Sequence, residues 1–104
     1  MSDKLTKENI FDLIEKSGEQ LNSLGVVSIG LFGSFSKGQY DENSDVDILV
    51  DFDPAQKTYD NFYDTCSLLE KLFKRRVDVV TRQSLSPYIG PHILKEVEYA
   101  PLST

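Results

Sequence analysis

The sequence predicts an α/β (α+β) chain with a small mixed β-sheet and helices packed on one face. Three observations lead there. Apolar residues recur at helical spacing in two polar stretches, around Ile10, Phe11, Ile14 and Leu21 and again from Tyr59 to Phe73. Val26–Phe32 and Val77–Thr81 are short β-branched runs, and Ser44 to Phe52 alternates apolar with polar residues. The elements then follow one another as helix, strand, short helix, strand, helix, strand, helix (αβαβαβα), the order of a layered sheet with helical connections. At 104 residues the whole chain, 1–104, is expected to be a single domain with its core over about 8–99.

Each element has a local reason. Residues 1–5 are expected to be loose. Thr6 is a candidate N-cap, and Glu8 in the first turn faces the positive end of the helix dipole. The first helix should run over about 7–23 and stop near Gly25, with Gly18 weakening its last turns. The strand at 26–32 lies between Gly25 and Gly33. Ser34 to Gln39 reads as a short helix, followed by a polar turn over 38–43. In the strand from Ser44 to Phe52, Val46, Ile48, Val50 and Phe52 share the core face, while Asp45, Asp47, Leu49 and Asp51 share the other. Pro54 ends this strand. The next helix is expected over about 58–74, with Tyr59, Phe62, Tyr63 and Phe73 as core and Lys71, Lys74 and Arg75 at its C-terminal end. The strand at 77–81 carries Asp78 opposite Val77 and Val79. A last helix should span about 91–99, with Pro101 closing it.

Composition narrows the function. Hydrophobic residues make up 39% and charged residues 27%, ordinary for a globular domain. The net charge of −6 disfavours direct nucleic-acid binding, which requires basic surface. It is compatible with a nucleotide bound through a divalent cation, or with a basic protein partner. The single cysteine, Cys66, permits no internal disulfide, and one His with one Cys makes no structural zinc site. No signal-peptide core or membrane span is evident. A cytoplasmic protein with no membrane association is expected, and its oligomeric state is left open.

Chemistry concentrates between Leu31 and Asp51. Asp45 and Asp47, two apart on a strand, should project side by side at roughly 6–7 Å. Paired carboxylates repel unless a cation joins them, and hard oxygen ligands select Mg²⁺ or Mn²⁺. Solvated acids at a strand start are the plain alternative. Gly33-Ser34 lets the backbone approach a phosphate and offers N–H groups and a hydroxyl, or is an ordinary tight turn. The pair is separated from Asp45 by ten residues. At residue frequencies of about 5–7%, four such positions coincide about once in 10⁵ starts, so the conjunction is informative where each pair alone is not. Asp78 lies in an otherwise apolar strand, where an unpaired carboxylate is costly. It should face a ligand, a cation or water, or pair with Arg75 or Arg76. His92 reads as a structural or surface residue, Asp51 and Asp53 as solvated acids, and Tyr40 as a surface residue.

These residues together resemble the minimal nucleotidyltransferase (MNT) domains of the DNA polymerase β-like nucleotidyltransferase superfamily, over about residues 8–99. The resemblance implies that Asp45, Asp47 and Asp78 are catalytic and hold two Mg²⁺ ions, with Mn²⁺ as an alternate. Asp78 would bind the catalytic metal or help deprotonate the attacking hydroxyl. Gly33, Ser34, Lys37 and Ser44 would bind the nucleotide. Lys37 stands before Gly38 where members often carry Arg, and it offers charge without the bidentate fork. The implied activity is in-line attack on the α-phosphate of ATP, transferring AMP to a tyrosine of a HEPN-family toxin partner. Two other readings stand beside it: an antitoxin that neutralises its partner by binding alone, and a nucleotidyltransferase acting on a small molecule. The latter usually needs a second domain, for which 104 residues leave no room.

Overall fold

A computed structural model describes residues 5–41, 43–100 and 102. The expectations for residues 1–4 and for Pro101 lie outside them. The elements are α1 (Lys7–Lys16), α2 (Gly18–Ser23), β1 (Val26–Phe32), α3 (Ser34–Lys37), β2 (Val46–Phe52), α4 (Tyr59–Phe73), β3 (Val77–Thr81), α5 (Gly90–Glu96) and β4 (Glu98–Tyr99). Two 3₁₀ turns, Pro54–Gln56 and Arg82–Ser84, fill the connections. The four strands form one mixed sheet in the order β3-β2-β1-β4. β1 pairs antiparallel with both β2 and β4, and β2 pairs parallel with β3.

Local chemistry explains the starts and stops. Thr6 caps α1 in a reciprocal box with Asn9: its Oγ1 accepts from the Asn9 N–H at 3.1 Å, and its own N–H donates to Asn9 Oδ1 at 3.2 Å. Thr58 caps α4 through the Asn61 N–H at 3.1 Å. α4 ends at Lys74, which adopts the left-handed conformation (φ 54°).

Ile10 and Ile14 from α1, Leu21 from α2 and Leu69 and Phe73 from α4 pack against Val26, Ile29 and Leu31 of β1 and Val46, Ile48, Val50 and Phe52 of β2. Phe35 of α3 is fully buried in the same cluster. The helices carrying this core cover one face, as expected. The other face carries Asp47 and Asp51 of β2 and Asp78 of β3, while Leu49 between the two β2 acids is buried there at 1% exposure.

Four details differ from expectation. The first helix is broken at Ser17, a buried residue with ψ 14° that precedes Gly18; serine and glycine together make continuation expensive. The last helix ends at Glu96, and Glu98–Tyr99 instead extends to pair with Gly30 and Leu31. Tyr59 and Tyr63 are 80% and 60% exposed and are not core. The buried stripe of α4 runs through Thr65, Leu69 and Phe73, with Phe62 packed at its edge. Asp51 and Asp53 are not simply solvated: Gln83 Nε2 donates to Asp51 at 2.9 Å, and Asp53 accepts from the Ala55 N–H at 3.0 Å.

Among the described residues, no helix is long and apolar enough to cross a membrane.

Candidate active site

The register of the sheet assembles the acids. Asp47 of β2 lies between Phe32 of β1 and Asp78 of β3, its paired neighbours on either side. Paired residues of adjacent strands project to the same face. Asp47 and Asp78 therefore stand together on the face opposite the helical core. Asp45 sits one residue ahead of β2 rather than within it, exposed at the mouth of the strand.

The electrostatics of Asp47 record the gathering. Burial pushes its carboxyl above the ordinary aspartate range, and the charges of Asp78 and then Asp45 push it further the same way. The charges of two carboxylates thus bear on the third, Asp47.

Gly33 follows Phe32 directly and closes the row from the other side. Its φ is +75°, and a Cβ at this position would run into the Asp47 carboxylate. Glycine is required both for the turn and for the approach of backbone to acid. Ser34 opens α3, whose end is set by Gly38 in the left-handed conformation (φ 76°). With a single turn, α3 has little macrodipole, so what Gly33 and Ser34 offer an anion is the N–H groups and hydroxyl of the turn.

The remaining two expected residues are engaged elsewhere. Lys37 Nζ lies 3.0 Å from Glu96 Oε1. Ser44 Oγ accepts from the Asp41 N–H at 3.0 Å, so the side chain braces its own loop.

Sequence reading missed the residue that holds this loop. Arg75 Nη1 donates to the Ser44 carbonyl at 2.9 Å and to the Asp41 carbonyl at 3.3 Å, and the guanidinium lies 5.2 Å from the centroid of the Phe35 ring. Tyr40 stacks on the same Phe35 ring at 4.2 Å. Neither could be assigned from position in the chain, since Arg75 reads as an ordinary charge at a helix end.

Among the described residues, no three acidic, His or Cys side chains already converge on one point. That is compatible with Mg²⁺, which takes one or two carboxylates and fills its shell with substrate phosphates and water. The donors are all hard oxygens, and the mutual repulsion felt at Asp47 is what a divalent cation would relieve. The residues present fit such an ion. A groove of about 320 Å³ bordered by Thr58, Tyr59, Phe62, Val79 and Thr81 lies elsewhere, because Val79 and Thr81 alternate with Asp78 along β3.

The family model for the nucleotidyltransferase domain matches residues 12–100. The chain belongs to the nucleotidyltransferase-domain family. It is 40% identical over 96 residues to the protein adenylyltransferase MntA of Thermococcus cleftensis, covering 91% of this chain and 96% of that one. A solved structure described as a candidate minimal nucleotidyltransferase superimposes with a TM-score of 0.81 at 28% identity, covering 93% of this chain and 98% of that one. A toxin–antitoxin structure with AMP-PNP shares the fold at 23% identity, with a TM-score of 0.62 over 96% of this chain and 76% of that one. This nucleotidyltransferase has the small mixed sheet with packed helices that the sequence predicts.

Proposed function

We propose that this nucleotidyltransferase transfers AMP from ATP to a tyrosine hydroxyl of a HEPN-family toxin and silences it. The observation that carries the reading is the meeting of Asp47, Asp78 and Gly33 on one face. Likeness to MntA supports protein as the acceptor class. Asp45, Asp47 and Asp78 would hold two Mg²⁺ ions. When bound, these supply Lewis-acid activation of the acceptor oxygen and neutralise charge on the departing pyrophosphate.

The chain's own residues supply position and charge. The Gly33–Ser34 turn places N–H groups and a hydroxyl for the β- and γ-phosphates, which sets the α-phosphate toward the acids. The acceptor oxygen forms a bond to that phosphorus as the bond to the bridging oxygen breaks. Pyrophosphate takes the electron pair. Asp78, exposed on β3, would receive the incoming hydroxyl and its proton.

The test is incubation with labelled ATP, Mg²⁺ and the partner. Label should appear on the partner's tyrosine and disappear with Asp45→Asn or Asp47→Asn. Neutralisation that persists in both variants without label would overturn the reading in favour of an antitoxin that acts by binding alone.

A further inference from the structure

The end of α5 and the residues after it hold α3 in place through a set of polar contacts. Glu98 is the centre of this strap. Lys7 Nζ of α1 lies 2.7 Å from Glu98 Oε2 and 2.9 Å from Oε1. Ser36 Oγ of α3 donates to Glu98 Oε2 at 3.1 Å and is 3.3 Å from the Glu96 carbonyl. Lys7 Nζ also reaches the Ser36 carbonyl at 3.4 Å, and Lys37 bridges to Glu96 at 3.0 Å. The backbone reinforces the link: Glu98 pairs with Leu31, two residues before Gly33, and Val97 sits where a Cβ on Gly30 would stand.

A four-residue helix has no stability of its own, so its position is set by what it touches. Phe35 anchors it in the core, and Ser36, next in the chain, ties its other side to the strap. The Lys7 and Glu98 side chains are 31% and 43% exposed, a setting in which an ion pair adds little stability. Its consequence is therefore geometric.

We infer that Glu98 is a positioning residue that acts through Ser36 to fix the Gly33–Ser34 turn for the triphosphate. The inference rests on the phosphate role proposed above for that turn.

The experiment measures the Kd for Mg·ATP by calorimetry well below the Tm, so that only folded protein is read, with the Tm recorded for each variant. Ser34→Ala should weaken binding and so establish the turn as a phosphate site. Glu98→Ala should weaken it about tenfold, as loss of an outer support typically does. Glu98→Gln, which retains an acceptor for Ser36, should weaken it only about threefold. Ser36→Ala should resemble Glu98→Ala, and the double variant should be no worse than Glu98→Ala alone, because both act through one strap. A Tm lowered in Glu98→Ala with Kd unchanged, while Ser34→Ala is weakened, overturns the inference and leaves the phosphate site standing. An unchanged Kd in Ser34→Ala, or wild type that does not bind Mg·ATP, removes the phosphate site and the strap with it. Should Glu98→Ala not fold, Glu98→Gln and Ser36→Ala decide.

Discussion

Asp47 is held where a carboxylate is unwelcome, partly buried and under the charges of Asp78 and Asp45. Without a cation the arrangement opposes the folded state, because its ionised form costs more there than in the unfolded chain. Asp47→Asn keeps the shape and removes the charge. It should raise the Tm of the metal-free protein by about 2 °C, a gain of a fraction of a kcal/mol, while lowering AMP transfer by about 10²-fold or more. A fall in Tm in a metal-free melt would show that the carboxylate is structural. Gly33 makes the opposite case. Gly33→Ala places a methyl group against that carboxylate at a φ of +75°. It should cost about 1–3 kcal/mol in denaturant unfolding and remove transfer as well. Stability near that of wild type would mean that the turn relaxes more easily than its contacts imply.

At the scale of elements, what the sequence showed depended on whether a residue's role is local. β1 and β3 have the bounds expected of them, since a β-branched run between turn residues has few other solutions. The alternation in β2 placed Asp47 on the face opposite the helical core, and the apolar setting of Asp78 pointed to the same face. Their adjacency required the parallel register of β2 and β3, which no single strand encodes. Helical spacing alone did not reveal that Tyr59 and Tyr63 flank the buried stripe instead of joining it. β4 is two residues long and exists by pairing with β1, so it left no periodicity to read. Arg75 is the case with most consequence for function. It ties the 41–44 loop to the end of α4, and that loop delivers Asp45. Arg75→Ala should lower transfer about tenfold with the Asp47 side of the site intact. Arg75→Lys should recover part of it, since a lysine reaches one carbonyl but has no planar fork to stack on Phe35. Equal activity in all three proteins, measured as label on the acceptor at saturating ATP, would free the loop from this role.

For the molecule as a whole, the two displaced carboxylates oppose each other in their response to acid. Glu98 is held below the ordinary glutamate range chiefly by the hydrogen bond from Lys7, which outweighs the opposing effect of burial, with weaker help from Ser36 and the lysine charge. A depressed carboxyl contributes stability that is present above its unfolded value, about 4.3, and is lost as pH falls through its folded one. Asp47 is raised, so its penalty is present above its folded value and is relieved as pH falls through it toward the unfolded one, about 3.9. Acidification from neutrality should therefore first relieve Asp47 and only later release the strap at Glu98. The net charge of −6 works in the same direction as Asp47 in the upper part of the range, because protonation of any acid lessens self-repulsion. Differences between wild type and single variants isolate the two sites from that background. The Tm advantage of Asp47→Asn over wild type should shrink as pH falls from about 7 through the Asp47 transition. Glu98→Gln should trail wild type at neutral pH and converge with it only below the ordinary glutamate range, about 4.3. Thermal melts of the metal-free proteins across that range test both limbs. Convergence of Glu98→Gln with wild type already near pH 6, or an Asp47→Asn advantage that grows on acidification, would reverse the assigned signs, placing the cost on the strap and the support at the acids.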